Sequence, residues 1–143
     1  MDKTGTDIGA AIASLQQAVN RLREAVTAAE SPIKSDAVIQ RFEFTFELAW
    51  KALKRILAYE GVICKTPRES LRQSFRLGLL AEEEIWLNML EDRNAMSHIY
   101  SEEAAKEIYQ RVPQFMSSLE GLLLTLTERY GNESREKAVD TKD

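Results

Sequence analysis

Six apolar residues near the N-terminus, Ile8, Ile12, Leu15, Val19, Leu22 and Val26, follow one another at alternating steps of four and three. That interval lays them along one stripe of an α-helix and along no face of a strand. It predicts a first helix of about six turns that buries a single side. The same interval returns between Pro32 and Gly61, where Phe42, Phe46, Ala49, Leu53 and Ile56 form one face while Phe44, Leu48, Ala52 and Tyr59 add a second. A helix apolar on two sides belongs at the centre of a bundle or at a contact between subunits, so a homodimer through a bundle face is expected.

Local signals divide the rest of the chain. In "TPRE", residues 66–69, Thr66 suits an N-cap, Pro67 the first helical position and Glu69 a capping box, opening a short third helix that Gly78 closes. The acidic "AEEE" at 81–84 favours the positive end of a fourth helix carrying Ile85, Trp86, Met89 and Leu90. Ser101, followed by Glu102 and Glu103, caps a long fifth helix with Ile108, Val112, Phe115, Leu119, Leu122 and Leu126 on one face and a kink expected at Pro113. No sustained alternation and no Asn-Gly or Asp-Gly turn points to strands. The expectation is an all-α, antiparallel up-and-down bundle of four main helices plus one short one. It forms a single domain over residues 1–130, with a flexible charged tail, "GNESREKAVDTKD", over 131–143.

Composition removes several function classes. With 44% hydrophobic and 29% charged residues the chain has the balance of a folded globular domain. A net charge of −4 argues against a general nucleic-acid coat, so any RNA contact has to rest on a local basic patch. The single cysteine, Cys64, cannot form an internal disulfide, and "MDKTGTDIGA" lacks the features of a signal peptide; no window reaches the length of a membrane span, and a cytoplasmic location is expected. One histidine and one cysteine make a poor metal-ligand set, and no Gly-rich phosphate loop occurs, so neither a metal nor a cofactor is expected.

The stretch "RNAMSHIY", residues 93–100, holds the only histidine, His98, between Arg93 and Tyr100. Each residue has an ordinary reading: His98 as a partner for the helix dipole, Arg93 as half of a solvated ion pair with Glu91 or Asp92, Tyr100 as a wedge between helices. Five residues on an uninterrupted helix separate Arg93 from His98 by about 140° around the axis. The two converge on one ligand only if the helix ends near His98, or if two chains supply one residue each. Glu43, Glu47, Lys51 and Lys54 on the second helix read as a solvated face with a Glu47–Lys51 pair, or as a polar groove beside this motif.

Two segments, "RFEFTFELAWKALKRIL" at 41–57 and "LEDRNAMSHIY" at 90–100, together with the helix order, make the chain resemble the HEPN superfamily. The resemblance is closest to the branch described as nucleotidyltransferase substrate-binding proteins, whose members are encoded beside a minimal nucleotidyltransferase. It covers roughly residues 6–130 and rests on the family's Arg-x4-His-x-Tyr pattern at Arg93, His98 and Tyr100. It implies a metal-independent RNase toxin of a toxin–antitoxin module, with Arg93 and His98 catalytic, Asn94 supporting them, and the site completed by two protomers. It also implies Tyr100 as the hydroxyl to which the cognate nucleotidyltransferase adds AMP. Arg72 and Arg76 are the candidates for RNA backbone contacts. The alternative it implies is a non-catalytic partner subunit that binds the substrate of a nucleotidyltransferase.

Overall fold

The apolar stripe of the first helix is the inner wall of the molecule. In the computed structural model, which describes residues 3–98 and 101–131 and the side chains of 8–96 and 101–131, α1 spans Lys3–Thr27. Ile8, Ile12, Leu15, Val19 and Leu22 are buried along it, and Val26 packs against the same core from its edge. It lies most extensively on α2, Lys34–Tyr59, after a short turn that makes the two antiparallel neighbours. The rest of the core is supplied by α2 and the elements that cover it: α3, Pro67–Arg76; α4, Glu83–His98; and α5, Glu102–Tyr130. The described residues contain no strand, and none of their helices is long and apolar enough to cross a membrane.

The expected face of α2 is the centre of the core, with Phe42, Phe46, Ala49, Leu53 and Ile56 fully enclosed. Phe42 stacks on Phe115 of α5 at 5.3 Å, and Phe46 lies 6.4 Å from Trp86 of α4. Burying a phenyl ring of this kind contributes about 2–3 kcal/mol, so these contacts fix α4 and α5 against α2. The second face divides: Ala52 is buried and Leu48 half-buried, whereas Phe44 is 61% and Tyr59 36% exposed.

Helix ends follow the local chemistry with small departures. The Thr66 hydroxyl accepts from the Glu69 N–H at 3.2 Å, and Glu69 reaches back to the N–H of Lys65, one residue before the cap. Gly61 and Gly78 take φ of +89° and +74° after α2 and α3, where Val62 and Leu79 donate back to Leu57 and Ser74 in paired Schellman closures. The Ser101 hydroxyl accepts from Ala104 at 3.0 Å and starts α5, which runs unbroken through Pro113. α4 begins at Glu83, with Glu83 and Glu84 in its first turn. Of the expected tail, only Gly131 is among the described residues.

Candidate functional site: an arginine cleft between α2 and α4

Arg93 sits in the last turns of α4, facing α2. Its Nη2 donates to Glu47 Oε2 at 2.7 Å, and its Nη1 donates to Asn94 Oδ1 at 3.0 Å. Both members of the Arg93–Glu47 pair are about one quarter to one third exposed, so water weakens the attraction without dissolving it. Lys51, one turn along α2, approaches the other oxygen of Glu47 at 3.7 Å. The polar groove beside the motif is therefore present, and Glu47 is its link to Arg93. Arg93 does not rely on Asp92 or Glu91: the Asp92 carboxylate turns to α5, where Arg111 grips it through Nε and Nη2 at 2.8 Å each.

The groove opens into a cleft of about 610 Å³ lined by Arg21, Ala37, Gln40, Arg41, Glu43, Phe44, Glu47 and Arg93. Arg41 is held by its Nη1 donating to the Arg21 carbonyl at 2.8 Å, which ties α2 to α1 at this rim. Burial pushes the Glu43 carboxyl above its ordinary pKa, and the positive charge of Arg93 works in the opposite direction. The site thus sets cationic, acidic and aromatic groups around one open space, a combination that can receive a phosphate and an unstacked base together.

Arg93 and His98 both lie within α4, so an unbroken helix carries the two positions about 140° apart around its axis. Ile99 and Tyr100 lie outside the described residues, as does the side chain of His98. Arg72 and Arg76 do not join the Arg93 cleft; they line a second groove of about 270 Å³ on α3, together with Arg68. Sequence reasoning missed Arg68, although its spacing of four from Arg72 was available. It also missed Arg21 and Arg41, whose role depends on the packing of α1 against α2. Among the described residues no three His, Cys, Asp or Glu side chains group as a metal site requires.

Comparison with known proteins gives this arrangement its relatives. A Haemophilus influenzae (strain Rd) protein named probable ribonuclease HepT is 31% identical over 96 residues, 64% of this chain and 66% of that protein. The match therefore spans about two thirds of the relative's length. A crystal structure of a Thermus thermophilus protein has a TM-score of 0.73 and 36% identity, over 78% of this chain and 98% of the other. A Haemophilus influenzae structure, described as revealing the fold of a substrate-binding domain of a nucleotidyltransferase, has a TM-score of 0.59 and 28% identity, over 85% and 98% of the two chains. The family model for "Nucleotidyltransferase substrate binding protein like" matches residues 6–128, and the chain belongs to that family.

Proposed function

We propose that this chain is a metal-independent endoribonuclease, the toxin of a toxin–antitoxin pair, which acts as a homodimer and is silenced by a cognate minimal nucleotidyltransferase. The observation that carries this reading is Arg93, oriented by Glu47 and Asn94 at the mouth of an open cleft, with His98 five positions along the same helix. The relative named as a probable ribonuclease supports it. The two positions stand about 140° apart around α4, and we read each site as drawing Arg93 from one protomer and His98 from its partner; α4 is described as far as His98, so a site closed within one protomer at that helix end is the alternative.

The chemistry needs no metal. An imidazole, which ordinarily titrates near about 6.5, takes the proton of a ribose 2′-hydroxyl as that oxygen attacks the adjacent phosphorus. The bond from phosphorus to the 5′-oxygen breaks, and a proton goes to the leaving oxygen. Arg93 stabilises the charge that builds on the phosphate, and Asn94 holds the guanidinium in place. Products carry 2′,3′-cyclic phosphate ends. For control, the Tyr100 phenol attacks the α-phosphorus of ATP in the partner nucleotidyltransferase and pyrophosphate leaves. The attached AMP then places a bulky anion beside the site.

Incubation of the purified chain with RNA in the presence of EDTA is the test. Cleavage should persist, leave 2′,3′-cyclic ends, and fall on the order of 10²-fold or more in Arg93→Ala and in His98→Ala. Full activity in Arg93→Ala, or its abolition by chelator, refutes the assignment. Intact-mass and peptide mass spectrometry after incubation with the partner and ATP should place AMP on Tyr100; AMP on another residue, or none, removes that part. The second reading, a non-catalytic subunit binding the substrate of a nucleotidyltransferase, is favoured by the family description itself. It predicts a complex with the nucleotidyltransferase and no cleavage by either variant or wild type.

A further inference from the structure

α3 carries a concentrated positive charge that the Arg93 cleft does not use. Arg68, Arg72 and Arg76 recur every four residues and line one groove of about 270 Å³ with Thr66, Glu69 and Gln73. Successive members advance about 6 Å along the helix and turn only about 40°, so the three guanidinium groups form one stripe. The opposite side of α3 is anchored in the protein through Ser70, Leu71 and Ser74, all buried.

Two features separate this stripe from an ordinary solvated face. The first is regular placement: among the described residues no ion pair involves Arg68, Arg72 or Arg76, as also holds for Arg21, Lys54, Arg55, Lys65, Lys106 and Arg129, but only the three on α3 recur on consecutive turns and line one groove. In a chain with 23 acidic residues and a net charge of −4, three arginines on consecutive turns of one helix face make a local concentration of positive charge. The only acidic residue lining the groove, Glu69, accepts from the Lys65 N–H at the start of the helix. The second feature is Phe75, interleaved with the stripe and 40% exposed. Its position, seven residues after Arg68, returns it to within about 20° of that arginine around the axis. A basic row flanked by an exposed aromatic ring fits a single-stranded nucleic acid, whose phosphates follow the charges while an unstacked base lies on the ring.

We propose that the Arg68–Arg72–Arg76 stripe of α3, with Phe75 at its edge, is a binding track for a single-stranded segment of RNA. This rests on the ribonuclease reading for its biological sense, because the track would hold substrate outside the cleft. α3 packs directly on α4, so bound RNA is held on the helix next to the one that carries Arg93. The stripe supplies affinity without sequence preference, and the cleft supplies the chemistry.

The experiment uses the full chain bearing His98→Ala, so that RNA survives, and follows the fluorescence anisotropy of a short labelled oligoribonucleotide across a salt series. The combined Arg68→Gln, Arg72→Gln and Arg76→Gln variant removes about three cations from the RNA backbone, and should flatten the dependence of log affinity on log salt by about 2. The corresponding triple Lys variant should keep the slope, because an ammonium still meets a phosphate as a point charge. Phe75→Ala should weaken binding on the order of tenfold with the slope unchanged, and Phe75→Trp should restore it. Circular dichroism confirms that each variant is folded. An unchanged slope in the triple Gln variant overturns the proposal, as does absence of RNA binding by the His98→Ala chain at low salt. Loss of a nucleotidyltransferase complex with RNA binding intact also overturns it, and makes the stripe a protein dock. Binding is read without cleavage: a wild-type chain that binds RNA through the stripe but cuts nothing sinks the ribonuclease reading alone. Cleavage with an unchanged slope sinks the track alone.

Discussion

Replacing Arg111 with methionine should destabilise the protein by about 2 kcal/mol, although the residue lies on the surface of α5. The reason is Asp92, which is only 9% exposed and receives both of its hydrogen bonds from Arg111 at 2.8 Å. Removing one partner of a buried, doubly bonded pair leaves an enclosed carboxylate without compensation, which costs about 3–5 kcal/mol in fully buried cases. Here the Arg111 side chain is 40% exposed, so water enters the vacated position and returns part of that cost. The remaining figure of about 2 kcal/mol corresponds to a fall in Tm of about 6 °C for a domain of this size. Urea denaturation of the wild type, Arg111→Met, Asp92→Ala and the double variant measures it, with the midpoint expected to move and the m-value to stay constant. The double-mutant cycle should return a coupling energy of about 1 kcal/mol or more. A loss below about 0.5 kcal/mol in Arg111→Met, or strict additivity in the cycle, would show that the pair behaves as an exposed salt bridge and does not fasten the last turns of α4 to α5.

Pro113 is exposed within α5 and cannot donate to the Tyr109 carbonyl, so Pro113→Ala should stabilise the protein by about 1–3 kcal/mol; an unchanged or lower urea midpoint would contradict this. Burial raises the Glu43 pKa in the folded state, so the carboxyl favours folding most while protonated, below its ordinary value of 4.5, and loses that advantage as pH rises through the raised value. Glu43→Gln should therefore gain stability relative to wild type on going from acid to neutral pH, and a difference that shrinks over that range would reverse the sign. Glu47→Gln removes the charge that orients Arg93 at 2.7 Å and should slow RNA cleavage on the order of tenfold or more; turnover equal to wild type would deny Glu47 a positioning role.

The helices were legible because their signals are local and repeated. Ile8 to Leu22, and Phe42 to Ile56, announce buried stripes by spacing alone, and Thr66, Ser101, Gly61 and Gly78 stop or start helices through atoms within a few residues of themselves. The site was less legible because its contacts are distant in the chain. Glu47 and Arg93 are 46 residues apart, and only the packing of α2 beside α4 turns a charged face into the partner of the motif arginine. Asp92 offered the same difficulty: its neighbours in sequence suggest a pair with Arg93, whereas helix geometry directs it to Arg111 on α5. Phe44 counted as part of an apolar face, yet its position beside Arg41 and Glu43 leaves it open at the cleft. Hydrophobicity says that a ring favours burial; it does not say which of two faces the neighbouring helices will cover.

The central claim, that each ribonuclease site takes Arg93 from one protomer and His98 from its partner, is tested most directly by a heterodimer of two inactive chains. Arg93→Ala and His98→Ala chains carrying different affinity tags are co-expressed, purified through both tags, and assayed for RNA cleavage beside the two homodimers. Each homodimer lacks the same group in both sites and should be nearly inactive. The heterodimer holds one site with both groups intact, and should recover about half of the wild-type turnover per dimer. Chains that fail to co-purify, or a heterodimer as inactive as either parent, would contradict the account.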